Sequence, residues 1–314
     1  MARLTGFDWL KAQIEKLVTT TSKHKELIKK ITEIEPNVYN EFREWTPLKL
    51  ILLNYSLQVC TKIIENCRNI FRNTYYVDLF SGAGINKIKD KDDFFIGSPL
   101  IAALNHSNSY SELIFCENNP KYANALDLRL RTLNKNNLTI KQSYESCLSH
   151  ILGKVDARYT YSFFFIDPFS FEFTWEAMEK VLKVRSDIVF TFMTSEIYRA
   201  VCSARKGYGG KDTLNKMFGN QSWITANHSE ELVDIYKGNI LKNRPNAPIL
   251  TIKINSDANF YYHLFFITNQ TKNRNQWLRA IEKAKNEIEK NSSKAVRIAL
   301  EIVKKKQTQL VFEK

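Results

Sequence analysis

Three acidic residues, each following an apolar run, are the positions in this chain best placed to do chemistry. The first is Asp78, inside the stretch 75–84 (YYVDLFSGAG). Residues 75–79 are apolar enough for a buried parallel strand, and a turn with glycine at alternate positions follows. The chain has only ten glycines, so Gly82 and Gly84 concentrate backbone freedom at one place. Glycines after such a strand let the backbone approach a ligand with no side chain in the way. An ordinary left-handed turn after a core strand would use the same residues. The second acid, Glu117, closes the apolar run 112–116. In a nucleotide-binding sheet, a carboxylate at this place takes both ribose hydroxyls, because it accepts through two oxygens. A solvated strand-end carboxylate is the plain alternative. The third is Asp167, which ends the run 161–166 (YSFFFI) and precedes Pro168, Phe169 and Ser170. It sets an acid and a rigid turn at the edge where open α/β sheets bind ligands, although an Asp there can simply cap the turn. The three ends in this order are more specific than any one alone.

These residues need a frame. Apolar runs at 75–80, 112–116, 138–141, 161–166 and 187–193 alternate with helical patterns at 97–106, 119–133, 144–153 and 174–183. That alternation predicts a parallel sheet with right-handed crossovers. Two close runs, 249–254 and 261–268, predict a final hairpin with one antiparallel strand. Upstream, residues 1–35 read as amphipathic helices. A long helix from about 47 to 71 carries Leu48, Ile51, Leu52, Tyr55, Val59, Ile63 and Ile64 at helical spacing. It is expected to pack beside the first strand. Residues 195–246 exceed one crossover helix and are expected to form a helical subdomain over the carboxyl edge of the sheet. The expected divisions are an amino-terminal helical region at 1–72, a core at 73–290 and a basic tail at 291–314.

The pattern Asp78-x-Phe80-x-Gly82-x-Gly84 resembles the first signature of Rossmann-like S-adenosylmethionine (SAM) methyltransferases. With it stand GSPLIA at 97–102, Glu117-Asn118, FFIDPF at 164–169, Trp45-x-x-x-Lys49 and YYHLFFIT at 261–268. Together they resemble the three-Cys-motif partner family, over roughly residues 40–285. The resemblance implies a Rossmann-like, seven-stranded SAM-methyltransferase sheet with amino-terminal helices and a helical insertion. It implies SAM as cofactor and a protein partner that carries a three-cysteine, radical-SAM-like motif. The expected cofactor contacts are Asp78, Phe80, Ser81, Gly82, Gly84 and Glu117, with Ser143 at the end of the third strand towards adenine. Asp167, Pro168 and Phe169 are the candidate catalytic residues. Amino-group methyltransferases for bases carry Asp or Asn, two prolines and an aromatic residue at this place. This chain lacks the second proline, which leaves open whether the acceptor is an amine, a hydroxyl or a ring nitrogen.

The formal net charge of +13 favours a phosphate-bearing partner, expected to be RNA or a nucleotide modification rather than duplex DNA. A lysine-rich composition would produce the same sign. The loop 205–211, with three glycines among three cations and a tyrosine, suits phosphates or stacking single strands. No apolar run approaches the roughly 20 residues of a membrane span, so no membrane partner is expected. The five cysteines form no CxxC pair and the five histidines show no ligand spacing. They predict a reducing, cytoplasmic setting and no metal. A non-catalytic adaptor on a methyltransferase fold is the alternative to an enzyme.

Overall fold

The computed structural model describes residues 8–13, 15–16, 24–42, 46–88, 94–255, 260–270 and 275–289. Trp45 and the tail 291–314, both used above, lie outside the described residues. Among the described residues there are ten strands, and the seven expected apolar runs are all among them: β1 (Asn40–Phe42), β2 (Asn73–Asp78), β3 (Ile85–Ile88), β4 (Phe94–Ile96), β5 (Glu112–Cys116), β6 (Asn137–Ile140), β7 (Thr160–Ile166), β8 (Ser186–Phe192), β9 (Ile249–Asn255) and β10 (Tyr261–Ile267). Seven of them form one sheet in the order β6-β5-β2-β7-β8-β10-β9. Strands β2 and β5 to β8 run parallel, and β10 is antiparallel to both β8 and β9. Counted among themselves along the chain, the seven read 3-2-1-4-5-7-6. This is the Rossmann-like methyltransferase sheet, closed by the expected hairpin.

Strands β7 and β8 are buried along their whole length, which requires apolar residues on both faces. Alternate residues therefore serve different layers. Phe163 and Phe165 join Tyr76, Leu113, Phe115, Leu264 and Phe266 on one face. Residues from the helices Thr46–Asn66, Ser98–Asn105, Pro120–Arg131 and Gln276–Glu289 cover it. Phe164 and Ile166 join Val77, Ile114, Ile188 and Phe190 on the other. Helices Tyr144–Val155, Trp175–Lys183, Thr194–Arg205 and Ser229–Asn243 cover that side.

The insertion 195–246 is helical, and its longest helix, Ser229–Asn243, covers one face of the sheet rather than the carboxyl edge. Helix Ser229–Asn243 starts where Ser229 meets the Tyr261 hydroxyl and ends where Arg244 reaches the Ser186 carbonyl, 3.1 Å away at the opposite edge. Between them Tyr236 packs on Phe190 and Phe192, with ring centroids 5.5 and 5.1 Å apart. Residues 85–88 and 94–96 add two short strands outside the seven. Strands β3 and β4 pair antiparallel, and β1 joins β3 in parallel to make a three-stranded sheet.

Candidate functional site

The strand order reverses between β2 and β7, and that switch point is where open α/β sheets bind ligands. Asp78 ends β2, Glu117 follows β5, and Asp167 follows β7. The loop after β2 is tied at each step. Ser81 N–H donates to the Cys116 carbonyl at 3.0 Å, and the Ser81 hydroxyl donates to the Asp78 carbonyl at 3.0 Å. Gly82 and Gly84 both adopt positive φ, at 61° and 80°. A Cβ at Gly84 would stand 2.8 Å from the Leu126 side chain, and one at Gly82 would enter the Asn40 amide. Gly97 N–H donates to the Gly84 carbonyl at 2.7 Å, which closes the turn against helix Ser98–Asn105.

Glu117 is held as a rigid acceptor. One carboxylate oxygen accepts the Gly82 N–H at 2.7 Å and the other accepts the Asn119 N–H at 2.8 Å. A carboxylate has about four lone-pair positions, so it keeps acceptor capacity beyond these bonds. Burial pushes this carboxyl up, while the N–H groups of Asn119, Gly82 and Asn118 favour the charged form and oppose the rise. Next to it, Asn119 caps helix Pro120–Arg131 by accepting from the Lys121 and Tyr122 N–H groups. Ser143 likewise caps helix Tyr144–Val155. Tyr144 carries an aromatic wall, with its ring 5.1 Å from Phe80 and 5.0 Å from Phe173.

At the β7 end, Asp167 is paired rather than open. Lys49, from helix Thr46–Asn66, donates to one carboxylate oxygen at 2.7 Å and lies 2.5 Å from the other. The two side chains are 12% and 19% exposed, so the pair is largely shielded from water. Glu172 accepts the Phe169 N–H at 3.0 Å and thereby shapes the turn after Pro168. The Phe169 side chain is 73% exposed at the lip.

One cleft of about 900 Å³ brings these pieces together. Its lining holds Phe80, Ser81, Gly82, Gly84, Glu117, Ser143, Asp167, Pro168 and Phe169. Asp78 is placed differently: it is fully buried beneath the loop and does not line the cleft. It accepts the Phe80 N–H at 3.2 Å and takes a bond from Ser98. Burial raises its carboxyl to about 7. Its position makes it a support for the glycine turn, because a strand-end side chain pointing into the sheet layer cannot also reach the edge.

Lys49, Asn40 and Glu172 line the same cleft, and no local pattern marked their roles. Lys49 had a weak signal, a cation in the apolar stretch 47–53 (PLKLILL). The loop 205–211 separates into parts. Arg205 donates to the carbonyls of Ile224 and Ala226 and is spent on internal structure, while Tyr208 is 80% exposed. A second cavity, about 590 Å³, is lined by Trp175, Lys216, Asn239 and Lys242 and shares Glu145 with the first. Among the described residues no three His, Cys, Asp or Glu side chains could hold a metal ion, and no helix is long and apolar enough to cross a membrane.

No protein-family model matches this chain, and no characterised protein matches it by sequence. Solved structures resemble it in part. An O-methyltransferase from Bacillus cereus in complex with SAH aligns with a TM-score of 0.45 at 11% identity, over 83% of this chain and 100% of that one. Trm1 from Pyrococcus horikoshii, solved with S-adenosyl-L-methionine, gives 0.39 at 11% identity, over 78% of this chain. The chain spans 59% of the length of that archaeal protein. Human methyltransferase-like protein 13, in complex with SAH, gives 0.39 at 11% identity, over 79% and 91%.

Proposed function

We propose that this protein is a SAM-dependent methyltransferase acting on nucleic acid. The observation that carries the reading is the cleft itself: a glycine turn, a fixed ribose-type acceptor and an acid-Pro-Phe lip, all at the switch point of this sheet. The residues fit the cofactor. The volume lies within the range of small-molecule sites, and Glu117 keeps lone pairs for a ribose diol. Phe80 and Tyr144 offer apolar surface to an adenine, and Ser143 lies beside them.

When bound, SAM supplies an electrophilic methyl group on a sulfonium, whose sulfur leaves as a neutral thioether. The chain's part is alignment, which supplies most of the rate in such a transfer. Phe169 presents a ring on which an unstacked base can sit. Asp167 and Lys49 offer an acceptor and a donor side by side, so the incoming nucleophile is oriented by a polar pair rather than by a lone acid. A proton lost from the nucleophile is taken up by Asp167 or by water. The resemblance to the three-Cys-motif partner family adds a protein partner with that motif. The free thiols fit the reducing cytoplasm.

Calorimetry with SAM and S-adenosylhomocysteine is the test. Binding of both supports the enzyme, and binding of neither turns the reading to the non-catalytic adaptor. Single-stranded RNA binding, measured between 50 and 200 mM salt, is expected to fall steeply, by roughly ten-fold or more, as counterions return to the phosphates. A flat response removes the charge argument for a nucleic-acid partner.

A further inference from the structure

The amino-terminal segment 34–42 is fastened to the glycine turn in a way that the fold alone does not require. Arg129, on helix Pro120–Arg131, is 0% exposed. Its Nη1 donates to the Ala83 carbonyl at 2.6 Å. Its Nη2 donates to the carbonyls of Ile34, Glu35 and Val38, at 2.8, 3.0 and 2.8 Å. Among the described residues its Nε has no acceptor, and its bonds all go to carbonyl oxygens, with the Glu35 carboxylate near enough to favour the charged form. A buried cation held mainly by carbonyl oxygens is costly. It is found here where it clamps two chain segments together.

The clamp has a second half. Asn40 Oδ1 accepts the Ala83 N–H at 2.7 Å. Ala83 therefore gives its carbonyl to Arg129 and its N–H to Asn40. Val38 packs with Ala83 and Ala125 just below. The Asn40 amide then lies over Gly82, whose added Cβ would come 2.7 Å from Asn40 Nδ2. Asn40, Glu41, Thr46 and Lys49 line the cleft, and Gly82 meets both Asn40 and Glu117, which accepts its N–H.

We propose that segment 34–42 is a working part of the cofactor site, with Asn40 binding the amino-acid end of SAM and Arg129 positioning the segment. The inference rests on the SAM reading above. Glu117, on one side of the Gly82 turn, is the ribose acceptor. The amino-acid end, with its carboxylate, then falls towards Asn40, whose amide lies directly against Gly82. Arg129 touches no ligand; it holds the strap against Ala83 so that Asn40 meets the cofactor already in place.

The experiment compares SAM with 5′-methylthioadenosine, which keeps the adenosine and lacks the amino-acid end. Both are titrated calorimetrically into the wild type, Asn40→Ala, Arg129→Met and Arg129→Lys. Asn40→Ala is expected to weaken SAM by roughly ten-fold or more, the effect of one bond to a charged group. It should leave 5′-methylthioadenosine within about two-fold. Arg129→Met should show the same selective loss, with Arg129→Lys in between. Hydrogen exchange of the wild type should slow across 34–42 when SAM is added. Equal losses for both ligands in Asn40→Ala would make the strap merely structural and overturn the proposal, as would unchanged SAM affinity. Asn40→Ala alone decides the matter if the Arg129 variants do not fold. A wild type that binds neither ligand removes the SAM reading itself, a result distinct from any variant effect.

Discussion

Asp167 keeps its charge in company. Lys49 approaches both carboxylate oxygens from helix Thr46–Asn66, so removing either partner leaves the other largely buried and uncompensated. Lys49→Met and Asp167→Asn should each destabilise by about 1–3 kcal/mol in urea unfolding. Lys49→Met combined with Asp167→Asn should cost less than the sum of the two, and strict additivity would show that the pair is not coupled. The same residues show what the sequence could reveal. Asp167 and Glu117 were legible because each closes an apolar run that can only be a strand, and strand ends of one sign all meet at one edge. Asp78 was legible as a strand end but not as a buried support, because a side chain's direction at that final position is set by the loop that follows. Lys49 stood out as a cation in an apolar stretch, but its pairing with Asp167 was not legible. Lys49 lies 118 residues away, and nothing in local pattern encodes such a pairing. Arg129 sits in LDLRLR like any solvated arginine, and its four carbonyls come from segments far from it in sequence.

Among the elements, the insertion after β8 shows where pattern reading stops. Leu232, Val233, Tyr236 and Ile240 announce a helix with one apolar face. They do not say which surface that face will cover, and an edge or a flank of the sheet would satisfy it equally. The structure settles this through Arg244 at the end of helix Ser229–Asn243. Its guanidinium donates to the carbonyls of Leu182, Ser186, Val181 and Val184, at 2.9, 3.1, 3.3 and 2.8 Å. It thus caps the end of helix Trp175–Lys183 and pins the new helix beside it. Arg244→Ala should cost at least about 2 kcal/mol, because several buried carbonyls lose their donor together. A loss below about 0.5 kcal/mol in urea unfolding would mean that water replaces the guanidinium without penalty. The small β1-β3-β4 sheet escaped notice for a different reason. INKI and FFI are too short to show a period, and the strand that joins them comes from the far side of helix Thr46–Asn66.

For the molecule as a whole, acid should act through three buried groups of opposite sign. Burial lowers His106 and His263 to about 4, so both are neutral in the fold. As pH falls from about 6.5 to 4, the unfolded chain binds protons that the fold refuses, and stability drops. Asp78 acts the other way. With its carboxyl raised to about 7 by burial, its contribution is complete below about 4 and is lost as pH rises through 7. Asp78→Asn removes that gain, so its deficit against wild type should be larger at pH 5 than at pH 8, by about 2–3 kcal/mol in urea unfolding. A deficit independent of pH would mean that Asp78 titrates alike in both states. The order of the sheet has a consequence for how the chain is made. Strand β10 lies between β8 and β9 yet is synthesised after both. Until residue 267 has left the ribosome, the outer edge of β8 keeps its N–H and C=O groups unpaired, and β9 has no strand to join. A nascent chain is therefore adhesive from the emergence of β8 until β10 emerges, and it needs protection until that strand threads in. A fragment ending at residue 255 should scatter light as it self-associates, and a monodisperse one would show that β9 can seal β8 unaided.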